Sequence, residues 1–382
     1  MANNNENKIL NVPHLRFPEF SGEWKKCIIQ DYGEVVTGNT PPTNNAEYYN
    51  NGSYLWASPA DLGINKNVTD TKTKLSLSGF KKTRNVPKGS VLVTCIGSTI
   101  GKMGMATETM SSNQQINSVV VNDKNNSDFV YYAICRAFPR YLSEVGVQAV
   151  PILSKSNFEK LPNYTTSRDE QNKIGYFLSL LDERIATQNK IIEDLKKLKS
   201  AIYHKLFSNL QGKEQALSDL AEIIKGQQIN GSELSESGKY YVMNGGIAPS
   251  GFYDSYNTEA DTISISEGGN SCGYVQYNSS EFWSGGHCYS LRIKPTSSIV
   301  TQFLFHYLKW KETDIMALRI GSGLPNIQKK DLSKVCIAVP TLDKQQQLIT
   351  LLSAFQMKIE NEEMYVINLG VQKQYLLSQM FI

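Results

Sequence analysis

The chain contains its own duplicate, and this restricts its fold more than any single motif. Residues 149–207 begin AVPILSKSNFEKLPNYTTSRDEQNKIGYFLSLLDERIA, and residues 323–381 begin GLPNIQKKDLSKVCIAVPTLDKQQQLITLLSAFQMKIE. The two stretches align without a gap at a constant offset of 174. Identical pairs include Pro151/Pro325, Lys155/Lys329, Asp169/Asp343, Gln171/Gln345, Leu178/Leu352, Ile185/Ile359, Leu195/Leu369, Lys199/Lys373 and Phe207/Phe381. Further upstream, Asp31, Glu34 and Gly38 in DYGEVVTG match Asp219, Glu222 and Gly226 in DLAEIIKG at an offset of 188. The first copy therefore carries about fourteen more residues in a variable middle. A repeat of this length means that one structural unit is built twice. The order is globular unit, helix, globular unit, helix.

The helices follow from periodicity. Positions 178, 181, 185, 188, 192, 195, 199, 202 and 206 step by three and four, and all are apolar except Gln188 and Lys199. Positions 352, 355, 359, 362, 366, 369, 373, 376 and 380 repeat the pattern, with polar Glu362 and Lys373 in the same two slots. A seam sustained at this spacing predicts two long helices packed on each other. Each covers roughly 38 residues, about 57 Å at 1.5 Å per residue. SRDEQ and TLDKQQ supply Ser and Thr caps with early acidic residues. Two helices solvated on separate domains would have no reason to keep matched polar slots.

Between the helices the pattern changes. VLVTCI, INSVVV, TISIS and HCYSLRIK are rich in β-branched and aromatic residues and lie between Gly, Asn, Pro and Ser turns, which predicts strands. FVYYAICRAFPRYLSEV and IVTQFLFHYLKWKETDIMAL read as helices in matching places. The fold class is α+β: two mixed α/β domains, each followed by a long helix. The segments are 13–168, a first domain; 169–208, a central helix; 209–340, a second domain; and 341–382, a C-terminal helix. A chain of 382 residues with 40% hydrophobic and 20% charged side chains is globular rather than disordered.

The net charge of +3 permits a nucleic-acid partner without demanding one. Cys27, Cys95, Cys135, Cys272, Cys288 and Cys336 form no CxxC pair, which predicts free thiols rather than disulfides or zinc. MANNNENKIL has neither the basic start nor the apolar core of a signal peptide, and no apolar stretch approaches about 20 residues. These features predict a cytoplasmic protein without a membrane span.

Motifs exclude several chemistries. VLVTCIGSTIGKMGM, residues 91–105, has the look of a phosphate-binding loop: an apolar run, a glycine turn, a lysine. However, Gly97 and Gly101 enclose three residues rather than four, and Met103 follows Lys102 where a hydroxyl is needed for magnesium. The second copy, TISISEGGNSCGY, keeps the spacing at Gly269 and Gly273 but has Tyr274 in place of the lysine. A turn that the fold needs twice explains both copies. Asn39-Thr40-Pro41-Pro42 only approximates the Asn/Asp-Pro-Pro-aromatic motif of amino-methyltransferases, and no glycine-rich cofactor loop precedes it. The four histidines are dispersed, with no HExxH, and no acidic cluster followed by ExK is present. No catalytic constellation emerges.

What remains is an inventory suited to recognition. The first unit offers Lys81, Lys82, Arg84, Lys102, Asn113, Gln114 and Gln115. The second offers Lys225, Gln227, Gln228, Asn270, Tyr274, His287, Lys329 and Lys330. Asn and Gln can read adenine bidentately, while Lys and Arg hold phosphates or read guanine. Placed on two equivalent platforms, these residues favour a nucleic-acid partner.

PHLRFPEFSGEWKK, GNTPPT, YLWASPADLG, NVPKGSVLV, NQQINS and LPNYTTSRDEQNKIGYFLSLLDERI, with the second copy of the last, resemble the specificity subunit of type I restriction–modification systems. The resemblance covers essentially the whole chain, and the duplicated order is its most specific element. It implies two target-recognition domains held by an antiparallel pair of helices, with pseudo-twofold symmetry. Each domain would read one half of a split, asymmetric site on double-stranded DNA, and the helices would set the gap. Successive major-groove faces lie about 34 Å apart, within reach of domains on such helices. The resemblance also implies methyltransferase subunits docked on the helices and motor-nuclease subunits. S-adenosylmethionine, ATP and magnesium would sit in those partners, with no cofactor or metal in this chain. The second copy departs from the first in lacking a match to Pro162, in reading Gln356-Met357-Lys358 for Asp182-Glu183-Arg184, and in placing Gly370 inside its helix. A self-contained nuclease or methyltransferase, and a helical scaffold that does not read DNA, are the competing readings.

Overall fold

The computed structural model describes residues 11–145, 151–321, 323 and 325–382. The opening MANNNENKIL and the first two residues of the AVPIL repeat start lie outside the described residues. The chain forms two compact units, Met1–Lys190 with Met364–Ile382, and Ile191–Glu363.

Both units are built on one plan, with the register preserved. In the first, strand Lys25–Ile28 pairs antiparallel with Pro162–Thr165, with Lys25 opposite Thr165. In the second, Lys213–Ala216 pairs with Cys336–Val339, with Lys213 opposite Val339. The main sheet of the first unit runs Gly33–Thr37, Ile116–Val121, Val91–Thr94, Met103–Ala106 and the two-residue strand Asn67–Val68. The second unit repeats it as Ala221–Lys225, Cys288–Ile293, Thr262–Ser266 and Val275–Asn278. All four strand-like sequence runs thus form strands. A smaller sheet carries a parallel pair in each unit, Tyr54–Ala57 beside Met110–Ser112 and Tyr240–Met243 beside Trp283–Ser284.

The domain helices differ. FVYYAICRAFPRYLSEV lies in one helix, Ser127–Val145. Its counterpart, expected as one helix, is two: Thr301–Trp310 and Glu312–Ala317. The break at Lys311 lets the Glu312 carboxylate accept the Val275 N–H at 2.8 Å and the Lys309 ammonium at 2.6 Å, which satisfies the start of an edge strand. Apolar burial closes each unit through equivalent aromatic rings. Phe381 packs on Phe129 with centroids 5.3 Å apart, and Phe207 packs on Phe303 at 6.1 Å. Each such ring contributes roughly 1.5–3 kcal/mol by leaving water.

The long helices are Arg168–Phe207, 40 residues, and Leu342–Met380, 39 residues. Ser167 and Thr341 cap them, their hydroxyls accepting the Glu170 and Lys344 N–H groups at 3.4 Å. Every seam position, including Gln188, Lys199, Glu362 and Lys373, is buried or half-buried. Within the first unit the Lys373 ammonium meets Asp182 and the Arg184 guanidinium lies over the Tyr365 ring. Within the second, Lys196 meets Glu363 and Lys199 donates to Gln356. Contacts that advance along one helix while receding along the other make the segments antiparallel in both units. Among the described residues no helix is long and apolar enough to cross a membrane, and all six cysteines are free thiols.

Candidate nucleic-acid interface

The same backbone frame presents a loop cluster in each unit. After the first sheet strand, Gly38 and Asn39 donate their N–H groups to Ile116 and Ser112 carbonyls at 3.0 and 2.9 Å. Gly226 and Gln227 donate to Cys288 and Ser284 carbonyls at 2.9 and 2.8 Å. The chains approach so closely that a Cβ on Gly38 would lie 2.3 Å from the Ser112 carbonyl oxygen, and one on Gly226 would lie 2.4 Å from that of Ser284. This steric demand accounts for the matched glycines.

In the first unit the frame gathers five of the seven candidate residues. The Asn39 side chain accepts from the Arg84 N–H at 2.7 Å and donates to the Lys82 carbonyl at 2.9 Å. The Arg84 guanidinium reaches the Thr37 carbonyl at 2.9 Å, and the Thr40 hydroxyl donates to Gln114 at 2.5 Å. Asn113 is buried, and its amide is used within the loop, accepting from the Gln115 N–H at 3.0 Å and donating to the Gln115 side chain at 3.1 Å. Gln114 is exposed, as are Lys82 and Arg84. Lys81 follows the short helix Leu77–Phe80, and Lys102 lays its methylenes against Gly63.

In the second unit the equivalent frame carries different chemistry. The Lys225 ammonium and Tyr289 hydroxyl both donate to Glu267 Oε1, at 2.7 and 3.0 Å. Glu267 stands where the first unit has Cys95, at the 172-residue offset of the glycine turns. Gln228 lies against Gly286, and exposed His287 is anchored by its N–H to Asn244 Oδ1 at 3.1 Å. Asn270 is exposed in the glycine turn. Tyr274 is drawn away, under the Lys309 ammonium at 3.9 Å in a cleft along the helices of that unit. Lys329 and Lys330 start the short helix Lys329–Leu332, exposed.

The glycine turns are backbone devices in both copies. Gly97 and Gly101 have φ of 96° and 90°, Gly269 and Gly273 of 80° and 92°, the region that glycine adopts freely. Gly97 donates to the Pro151 carbonyl and Gly269 to that of Pro325, both at 3.0 Å, which gives the identical prolines of the repeat their role. Sequence reasoning missed Asn39, Asn244, Glu267, Trp56 and Trp283. Each indole N–H donates to the loop carbonyl of its unit, Trp56 to Asn39 at 3.1 Å and Trp283 to Gln227 at 3.0 Å. These tryptophans do not occupy matching positions, so the repeat could not reveal them.

Two copies of one α/β frame, each offering a polar loop cluster with its own side chains, define a duplicated recognition protein. The chain belongs to the type I restriction modification DNA specificity domain family, whose model matches residues 21–197 and 212–369. It is 26% identical over 185 residues to the HindI specificity subunit of Haemophilus influenzae, covering 46% of this chain and 39% of that protein. It is 28% identical over 201 residues to the MjaIX specificity subunit of Methanocaldococcus jannaschii, covering 50% of this chain and 45% of that protein. The chain thus spans less than half the length of these curated relatives. The S subunit of a type I restriction-modification system from M. genitalium shares the fold, with a TM-score of 0.64 and 22% identity over 97% of this chain and 99% of that one.

Proposed function

We propose that this chain is the non-catalytic specificity subunit of a type I restriction–modification complex in the cytoplasm, and that each loop cluster reads one half of a bipartite DNA site. Residues 13–168 and 209–340 are the two target-recognition domains, and the helical segments 169–208 and 341–382 set the interval between half-sites. One observation carries this reading. The two units keep the same loop backbone but place Lys82, Arg84 and Gln114 on one copy and Lys225, Gln228 and His287 on the other. Different donors and acceptors on one frame read different bases, so the combined site is asymmetric. Methyltransferase subunits dock on the helices and motor-nuclease subunits complete the complex. S-adenosylmethionine, ATP and magnesium belong to those partners.

The test is methylome sequencing of a host with and without this chain. A split, non-palindromic methylated motif should vanish with the chain. An unchanged methylome, with the partner subunits expressed, refutes the reading.

A further inference from the structure

Each unit has a cleft along its own helices, and the two clefts are lined differently. In the first unit it is a cavity of about 300 Å³ lined by Lys66, Tyr131, Asp182, Ile185, Gly370 and Lys373. The chain's own segment 63–67, Gly-Ile-Asn-Lys-Asn, occupies one wall. Buried Lys66 donates to Asp128 at 2.7 Å and to the Ser179 hydroxyl at 2.6 Å. Lys373 donates to Asp182 Oδ1 at 2.5 Å, and the Tyr132 hydroxyl donates to Asp182 Oδ2 at 2.5 Å. Two ammonium groups thus meet two carboxylates directly, and Glu183 adds a further acid to the lining.

At the 174 offset the second unit keeps the lysine and loses both acids. Lys199 matches Lys373, but Gln356 stands for Asp182 and Gln302 for Asp128, while Ser353 matches Ser179. The cleft here is two adjoining cavities of about 490 and 530 Å³ that share Lys199, Lys309 and Gln356. From the variable middle only Ile247 lines it, and among the described residues no lysine takes the place of Lys66. Lys309 is matched by Glu312 at 2.6 Å and Lys196 by Glu363 at 2.6 Å. Lys199 donates to the Gln356 amide oxygen at 2.5 Å, and that amide is held by Glu360. Among the described residues Lys199 makes no ion pair. Burial, then neighbouring Lys309, pulls its pKa below the ordinary lysine value, while Glu360 in the same cleft pulls the other way without reaching the ammonium as an ion pair.

We infer that the second unit's cleft binds an acidic peptide segment of a partner protein, whose Asp or Glu carboxylate seats on Lys199 beside Gln356 and Ser353. The first unit is the internal control: there the chain's own segment 63–67 forms part of the lining, and both lysines are ion-paired. The volume suits such a segment, since ligand sites commonly span roughly 300–1,000 Å³. The half-buried ammonium selects for a carboxylate.

Calorimetric titration of the full chain with two capped pentapeptides tests this. One is Gly-Ile-Asn-Asp-Asn, the first unit's segment with an acid in place of its lysine, and the other is Gly-Ile-Asn-Asn-Asn. The acidic peptide should bind about tenfold or more tightly, as a hydrogen bond to a charged group allows. Lys199→Met should abolish that preference. Gln356→Asp, which rebuilds the first unit's ion pair, should abolish it too in a protein that stays folded. Equal binding of the two peptides, no binding of either, or a preference that survives both substitutions overturns the inference. Acetate that displaces the acidic peptide at equal carboxylate concentration also overturns it, by showing a simple anion site.

Discussion

The indole of Trp56 donates to the Asn39 carbonyl at 3.1 Å from a strand position paired with Ser111. In the second unit the pair is reversed: Val242 stands opposite Trp283, and the indole reaches the Gln227 carbonyl from the other strand at 3.0 Å. The large and small partners have exchanged strands across a parallel ladder, yet the carbonyl of the same loop position is held. The loop carbonyl is therefore the fixed requirement, and the strand that supplies the donor is not.

Trp56→Phe should keep the ring's packing and lose the donor. A single neutral hydrogen bond is worth about 1 kcal/mol, so discrimination at one half-site should relax about fivefold. Trp283→Phe should relax the other half only. Competition binding with DNA altered in either half measures both, and a variant that relaxes both halves equally contradicts the division between units.

Gln171 and Gln345 perform one task twice. Gln171 accepts the Asn126 N–H at 2.9 Å and donates to the Thr166 carbonyl at 2.9 Å. Gln345 accepts the Val300 N–H at 2.8 Å and donates to the Pro340 carbonyl at 3.0 Å. Each is at most 2% exposed, so removal leaves several partly buried backbone groups without their partner. Either Gln→Ala change should destabilise the protein by roughly 2–4 kcal/mol. Denaturant unfolding followed by circular dichroism would show this, and a loss below about 1 kcal/mol would contradict the role.

These glutamines show what the sequence made readable. Constant spacing exposed Gln171/Gln345, Phe207/Phe381 and the turn glycines, because residues that satisfy backbone or fill a core are held by the geometry common to both copies. The periodic seam exposed the long helices for the same reason. Trp56 and Trp283 escaped because one contact was rebuilt from a different strand. Glu267 escaped because a carboxylate replaced Cys95 where nothing in local periodicity marks a partner for Lys225. The broken helix at Lys311 was hidden because the apolar spacing of IVTQFLFHYLKWKETDIMAL continues across it, while the break depends on Glu312 reaching the edge strand.

The second unit should lose stability in mild acid through His306. Burial, with Lys199 the smaller cause, pushes its pKa down from 6.5 to about 4, and its Nδ1 lies 2.6 Å from the Tyr203 hydroxyl. The unfolded chain binds this proton near its ordinary pKa, while the folded chain resists it until about 4. The contribution is therefore complete above about 6.5 and disappears as the pH falls toward 4, by on the order of 3 kcal/mol. His306→Phe lowers the baseline by orphaning Tyr203, but it should also flatten the pH slope between 4 and 6.5 relative to the parent. An unchanged slope places the titration elsewhere.

Under the proposed function, Lys102 and Gln114 should separate positioning on DNA from reading it. Lys102 ends a turn that the fold builds twice, is exposed, and corresponds to Tyr274 in the second copy, so it supplies charge to one unit alone. A phosphate contact of this kind releases about one counterion. Lys102→Ala should therefore reduce the slope of log K against log salt by about 1 while leaving half-site discrimination intact. Exposed Gln114, held by the Thr40 hydroxyl at 2.5 Å, presents an amide on the rigid loop. Gln114→Ala should leave the salt slope unchanged and reduce discrimination at one base pair by roughly 1–3 kcal/mol. Binding isotherms across a salt series, on matched and single-mismatch duplexes, distinguish the two. If Lys102→Ala alters discrimination, or Gln114→Ala alters only the salt slope, the two roles are assigned to the wrong residues.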